Sequence, residues 1–222
     1  PFPRSERRQA VPFDPDHFGR RAAAGFANEE AIPYSRRIEG LLQQHGARQE
    51  EAVDVALGLT ELLTRTGQLE PARETLERAR TLSLEPPRPG YRLADVLYLL
   101  GEARRRQGQH AEARAAYEAA AAQLTAGTPN GATMATLARI EHAIGSVLLG
   151  QGQLAEARTR AVNALQLAQA EADLEAAGNA HNLLAGCDYW AGQLSESVAS
   201  ALRALALREQ LGDVCASART QS

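Results

Sequence analysis

The hexamer Gly108-Gln109-His110-Ala111-Glu112-Ala113 decides the fold, because close copies of it recur along the chain. Three further copies and one weaker one are Gly67-Gln68-Leu69-Glu70-Pro71-Ala72, Gly152-Gln153-Leu154-Ala155-Glu156-Ala157, Gly192-Gln193-Leu194-Ser195-Glu196-Ser197 and Phe26-Ala27-Asn28-Glu29-Glu30-Ala31. From the weaker copy onward, successive copies begin 41, 41, 44 and 40 residues apart. A spacing this regular indicates an array of one structural unit.

Three positions of the hexamer have a structural interpretation. The glycine suits the end of a helix, where the backbone turns left-handed. The acidic residue that follows suits the first turn of the next helix, near the positive end of its dipole. The small residue five positions after the glycine lets two helices approach closely. It is Ala31, Ala72, Ala113, Ala157 or Ser197.

The flanking segments have helical periodicity. Before Gly108, apolar residues from Leu93 to Leu100 recur every three or four positions, and those from Ala113 to Leu124 do the same after it. No stretch shows sustained strand-type alternation. The pattern predicts helix pairs at 15–25 with 28–43, 48–65 with 69–84, 91–106 with 110–125, 132–150 with 154–169, and 173–190 with 194–210.

These motifs resemble the tetratricopeptide repeat (TPR). Leu97-x-x-Leu100-Gly101 followed by Gly108, Ala113 and Tyr117 is similar to its consensus, and Gly145, Gly152 and Ala157 match likewise. The period exceeds the standard of about 34 residues, as in the long-TPR subclass. The resemblance implies an all-α, right-handed TPR superhelical solenoid of about five helix pairs plus a truncated final helix.

The expected organisation is an extended N-terminal segment at 1–14 and a single TPR array at 15–222. Its units are 15–43, 48–84, 91–125, 132–169, 173–210 and a partial unit at 213–222. The partial unit reads as the first helix of a sixth repeat, in register with 173–182. The segments around Phe26 and Ala206–Asp213 also resemble the TPR regions of bacterial MalT-like or other STAND ATPase regulators, and of ATPase-linked adenylate/guanylate cyclases.

The composition argues against catalysis, metal binding and nucleic-acid binding. The 222 residues include no lysine, which excludes a P-loop lysine and a Schiff-base lysine. The net charge of −3 does not indicate a basic surface for nucleic acid or an anionic membrane. The 5 histidines lack metal-binding spacing, and the 2 cysteines fit reduced thiols of a cytoplasmic protein. We therefore expect no enzyme activity, no cofactor, no metal, no direct nucleic-acid binding and no membrane span.

The first helix of each pair lines the concave surface of a TPR array, so its exposed positions are the candidate partner-binding residues. Projection of the helical spacing gives Asp54, Leu57, Glu61, Asp95, Tyr98, Glu102, Arg105, Arg139, His142, Ser146, Asn179, Asn182, Gly186 and Tyr189. A mixture of Asn, Tyr, His and Arg suits the recognition of a protein or peptide. Trp190, beside the Gly192 turn, is interpreted as a packing residue.

The favoured function is a non-catalytic protein- or peptide-binding module, the sensory or regulatory part of a larger bacterial signalling protein. One alternative is a free-standing TPR scaffold in a multiprotein complex, and another is a small-ligand receptor or enzyme built in the groove. Because a repeat cannot bury its apolar face alone, the C-terminal edge is expected to promote self-association.

Overall fold

Eight helices in sequence account for nearly all of the structure, a computed structural model that describes residues 49–85, 92–126 and 131–212 and five positions of an earlier helical segment (32, 33, 36, 37 and 40). The helices are α1 (Gln49–Arg65), α2 (Leu69–Leu84), α3 (Leu93–Arg106), α4 (His110–Thr125), α5 (Gly131–Gly150), α6 (Leu154–Ala170), α7 (Leu174–Trp190) and α8 (Leu194–Gln210). These described residues contain no strand, which confirms the all-α prediction. Every helix end lies within two residues of its predicted position.

Glycine turns separate the two helices of each pair. Gly67, Gly108, Gly152 and Gly192 all have φ near the left-handed value, from 76° to 77°, as the hexamer predicts. At the second of these turns the Gly108 N–H donates to Arg105 O at 3.0 Å, and the Gln109 N–H donates to Arg104 O at 2.9 Å. These bonds satisfy carbonyls that the end of α3 leaves without a helical partner. The short turn then makes α3 and α4 antiparallel neighbours.

The helices stack in order along the chain. Each helix packs on its sequence neighbours, and the first helices of successive pairs (α1, α3, α5 and α7) also contact one another. Ile32 is buried in a cluster with Leu59, Leu62, Leu63 and Ala72, so the chain before α1 packs on the first described pair. This nearest-neighbour arrangement is the architecture of a solenoid.

Small residues set the distance between paired helices. Ala113 and Ala157 are both 0% exposed, which confirms the interpretation of the hexamer. A Cβ added to Gly145 would lie 2.6 Å from Leu183 Cδ2 and 3.3 Å from Ala157 O. A larger side chain at either alanine or at Gly145 would therefore force the helices apart.

Several expectations concern residues outside the described ones. They include the extended segment at 1–14, the first helix pair at 15–43 and the partial repeat at 213–222. The division into one array over 15–222 stays a prediction. Within the described residues, no helix is both long enough and apolar enough to cross a membrane.

Candidate binding groove on the first helices

A cavity of about 430 Å³ lies between the first helices of three successive pairs. Seven of the predicted concave-face residues line it: Tyr98, Glu102, Arg105, Arg139, His142, Ser146 and Asn179. Four further residues complete the wall, namely Ala138, Ala143, Glu175 and Ala176. The shared surface arises because α3, α5 and α7 lie side by side, while the paired helices α4, α6 and α8 stand behind them.

Glu102 on α3 is held by two partners. Tyr117 Oη donates to Glu102 Oε1 at 2.5 Å, and Arg105 donates to the two carboxylate oxygens at 2.8 and 3.3 Å. Burial acts to raise the pKa of Glu102, but the hydrogen bonds from Arg105 and Tyr117 hold it below the ordinary value. The bond to Glu102 in turn raises the pKa of Arg105. The three groups form a charged and hydrogen-bonded unit in the wall of the cavity.

Tyr117 belongs to a second helix, yet it reaches this wall. Gly101 makes this possible, since a Cβ there would lie 2.6 Å from Tyr117 Cδ1 and closer still to Cε1. The Tyr117 ring, 0% exposed, also meets the ring of Tyr98 at a centroid distance of 5.8 Å. The residue was not among the predicted site residues. The sequence signal that could have predicted it is Gly101 on α3 followed by Tyr117 on α4, since the glycine leaves room for the tyrosine ring.

Arg139 lies at the mouth of the cavity. Its guanidinium carbon is 5.7 Å from the centroid of the Tyr98 ring, and its Nη2 donates to Thr136 Oγ1 at 3.2 Å. No carboxylate of the described residues lies within ion-pair distance of it. Arg139 is exposed, so a cation with most of its donors unused faces the groove.

His142 on α5 and Asn179 on α7 also line the cavity. Burial lowers the pKa of His142, so the imidazole is neutral at pH 7. The Asn179 Oδ1 accepts a hydrogen bond from Arg208 Nη2 at 3.1 Å, which leaves the two N–H donors of the amide for other acceptors. Neutral imidazole, amide and guanidinium groups are suited to hydrogen bonding with a polar ligand.

The remaining predicted residues do not line the cavity. Asp54 and Asp95 both bind Arg92, at 2.8 and 3.0 Å, and so tie α1 to the start of α3. Glu61 and Asn182 are exposed elsewhere, Gly186 packs against Leu149, and Tyr189 is exposed at the end of α7.

Two expectations are wrong. Leu57 is only 5% exposed and lies in the core cluster of Val53, Leu76, Val96 and Leu100, because its apolar side chain fills the space between α1 and α3. Trp190 is 69% exposed rather than packed, because it is the last residue of α7, where the chain turns toward α8. Its ring contacts Tyr189 edge-on at 5.6 Å.

The Glu102 carboxylate of the groove is held by neighbouring side chains. The described residues contain no group of three or more His, Cys, Asp or Glu side chains placed to hold a metal ion. The Glu102 carboxylate is occupied by Arg105 and Tyr117, and its lowered pKa makes it a weak proton acceptor. The arrangement can donate and accept hydrogen bonds and can present a cation.

Comparison with known proteins agrees with this architecture. The family profile of the tetratricopeptide repeat matches residues 94–122, which span α3 and most of α4. The described helices thus form an all-α TPR solenoid. No curated protein sequence matches the chain.

Solved structures share the fold at low sequence identity. Aspartyl phosphate phosphatase F from Bacillus subtilis superposes with a TM-score of 0.76 at 16% identity, over 88% of this chain and 51% of that one. PlcR of Bacillus thuringiensis, solved in complex with the peptide PapR7 and DNA, gives a TM-score of 0.71 at 10% identity, over 89% and 70%. BtubC (BKLC) from P. vanneervenii gives 0.67 at 18% identity, over 89% and 76%.

Proposed function

We propose that this chain is a non-catalytic module that binds a peptide or an extended protein segment along its first helices. The observation that carries the proposal is the cavity between α3, α5 and α7, where residues from three repeats converge. A peptide needs hydrogen-bond partners for its backbone and contact area for its side chains. Asn179 and Arg139 supply the first, and Tyr98 supplies part of the second.

The relation to PlcR supports a peptide as the ligand class. PlcR is known in complex with PapR7, and it shares this fold over most of the present chain. At 10% identity the similarity concerns the fold alone, so the choice of peptide must come from the groove. The proposal includes a role as the sensory or regulatory part of a larger bacterial signalling protein in the cytoplasm. Cys187, a free and buried thiol, fits a reducing compartment.

A screen of a displayed random-peptide library against the protein provides the probe for this proposal. The affinity of a selected peptide is then measured by calorimetry for the protein and for two arginine variants. Arg139→Ala should weaken binding by roughly tenfold or more, the effect of losing a central side chain of an interface. Arg114→Ala, on the other side of the molecule at α4, should leave the affinity unchanged.

The thermal unfolding of both variants serves as the control for folding. Arg139 is exposed and Arg114 is half-exposed, so neither change should move the melting temperature by much. Equal affinity of Arg139→Ala and the wild type, or a loss confined to Arg114→Ala, would refute the assignment to the first-helix groove.

A small-ligand receptor is the second candidate function. The cavity volume of about 430 Å³ falls within the usual range for small-molecule sites. A thermal-shift screen with amino acids and nucleotides tests it. Stabilisation by one of these compounds that Arg139→Ala abolishes, together with an empty peptide screen, would favour the receptor over the peptide-binding module.

Self-association through the C-terminal edge belongs to the same proposal. It is supported by a group of exposed apolar residues at the end of α7 and along α8. They are Tyr189, Trp190, Leu194, Val198 and Leu202.

A further inference from the structure

The apolar residues of α8 form one continuous face. Leu194, Val198 and Leu202 follow one another at intervals of four positions, so they lie on one side of the helix. They are 60%, 58% and 60% exposed, and no described residue covers them. Tyr189 and Trp190 extend the apolar surface beyond the start of α8. We call this surface, made of these five residues, the α8 face.

Earlier second helices show where the α8 face points. Glu77 on α2 pairs with Arg104 on the next first helix at 3.4 Å, and it holds the repeat position of Leu202. Arg158 on α6 forms an ion pair with Asp188 on the next first helix, and it holds the position of Val198. The α8 face is therefore the side that meets a neighbouring helix in preceding repeats.

The residue types at these positions change at the last repeat. The position of Val198 is arginine in all three earlier second helices, and the position of Leu202 is glutamate in two of them. The residues are Arg73 with Glu77, Arg114 with Glu118, and Arg158 with Val162. An outermost face that stays in water would favour polar residues. The α8 face is instead apolar and is not covered by any described residue, a combination that is typical of a surface that meets another apolar surface.

The face is complementary to itself. An interface with two-fold symmetry joins the same patch on two copies. When two α8 helices cross antiparallel with Val198 at the axis, Val198 meets the partner copy's valine at the same position, and Leu194 meets the leucine equivalent to Leu202. Ala201 lies three positions after Val198, on the same side of the helix, and its small side chain allows a close approach. The stripe from Leu194 to Leu202 has no charged residue on this side, so no like charges meet.

The exposed area is sufficient for a weak dimer. With roughly 200 Å² for a fully exposed large side chain, the α8 face presents on the order of 600 Å² per copy, or about 1,200 Å² in a symmetric pair. This value lies at the lower limit for specific interfaces. A pair of this size should form reversibly, in a manner that depends on protein concentration.

We propose that the α8 face is a dimerisation surface on which a second copy of the chain packs its own α8 antiparallel across a two-fold axis. The inference rests on the self-association proposed above and adds its geometry and its residues. Ligand binding on the first helices is independent of it, because the cavity wall shares none of the five residues of the α8 face.

Sedimentation velocity from micromolar to millimolar concentrations tests the association. The wild type should shift from monomer to dimer, whereas the double variant Val198→Arg/Leu202→Glu should stay monomeric. These substitutions restore the arginine and glutamate that α4 carries, where Arg114 pairs with Glu118 at 3.5 Å, so they are compatible with the repeat. Val162→Arg on α6, a similar change at a partly exposed valine, should leave the dimer intact.

Cross-linking with a short bismaleimide tests the geometry in a Cys215→Ser background. The remaining native thiol, Cys187, is 2% exposed and should not react. Val198→Cys should cross-link between copies, and a mixture of Leu194→Cys and Leu202→Cys chains should cross-link to each other. Arg203→Cys, on the opposite side of α8, should not.

The results distinguish self-association in general from the specific pairing of two α8 helices. A protein that is monomeric at every concentration overturns both self-association and the α8 pairing, and it would point to residues 213–222 or another partner as the cover. A dimer that survives Val198→Arg/Leu202→Glu, or that lacks the Val198→Cys cross-link, keeps self-association and overturns the α8 pairing alone.

Discussion

Tyr117→Phe removes one oxygen atom from the wall of the groove and should destabilise the whole array. The Tyr117 hydroxyl donates to the Glu102 carboxylate at 2.5 Å, and the ring is 0% exposed. A hydrogen bond to a charged group contributes about 1.5–3 kcal/mol. The variant keeps the ring in place against Gly101 and loses only this bond, so we expect the free energy of unfolding to fall by that amount at pH 7.

The assay is urea unfolding followed by circular dichroism, together with thermal melts. For a chain of this size the loss corresponds to a decrease of roughly 3 to 12 °C in melting temperature. Tyr98→Phe is the matched control, since Tyr98 contacts the neighbouring ring and its hydroxyl makes no hydrogen bond within the described residues. The stability of this control should stay within about 0.5 kcal/mol of the wild type.

The pH dependence identifies the partner of the lost bond. The pKa of Glu102 is lower in the folded protein than its ordinary value of 4.5. Its stabilising contribution is therefore complete above pH 4.5 and disappears as the pH falls through the lower folded value. The difference between the wild type and Tyr117→Phe should shrink over the same interval. Two results would refute the Tyr117–Glu102 bond. One is a difference in free energy of unfolding below about 0.5 kcal/mol at pH 7, and the other is a difference that stays constant as the pH falls until the protein unfolds in acid.

Three further predictions concern packing and titration. Ala157→Leu should cost ~1–3 kcal/mol by overpacking at a site that is 0% exposed, while Ala155→Leu on the exposed side of α6 should be neutral in the same melts. Gly101→Ala should destabilise because its Cβ meets the Tyr117 ring, and a double-mutant cycle should show that this cost largely vanishes in a Tyr117→Ala background. For His142, burial lowers the pKa below 6.5, so stability should fall as the pH drops through 6.5, when the unfolded chain takes up the proton first. His142→Gln should reduce that decrease without abolishing it, because burial also lowers the pKa of His181. A His142 imidazole that titrates by NMR at or above its ordinary pKa would contradict the assignment.

The periodic part of this protein was predictable from the sequence alone. The spacing of the hexamer indicated the repeat, and the glycine in it placed the ends of α3, α5 and α7 within two residues of where they lie. Ala113 and Ala157 were correctly assigned to the helix contacts. These features depend on the local backbone conformation and on which face of a helix a residue occupies, and both are set within a few residues along the chain.

The tertiary structure alone decided which side chains meet across the repeats. Leu57, Tyr98 and His142 hold equivalent positions in successive first helices, yet Leu57 is buried and the other two line a cavity. Helical projection cannot separate them, because burial depends on the distance to the next helix and on the size of the side chain that fills the gap. Tyr117 reaches Glu102 only because Gly101 leaves room for its ring. The exposure of the α8 face, likewise, is a property of packing. Leu202 is 60% exposed, whereas Val162, at the equivalent position of α6 with α7 beside it, is 38% exposed.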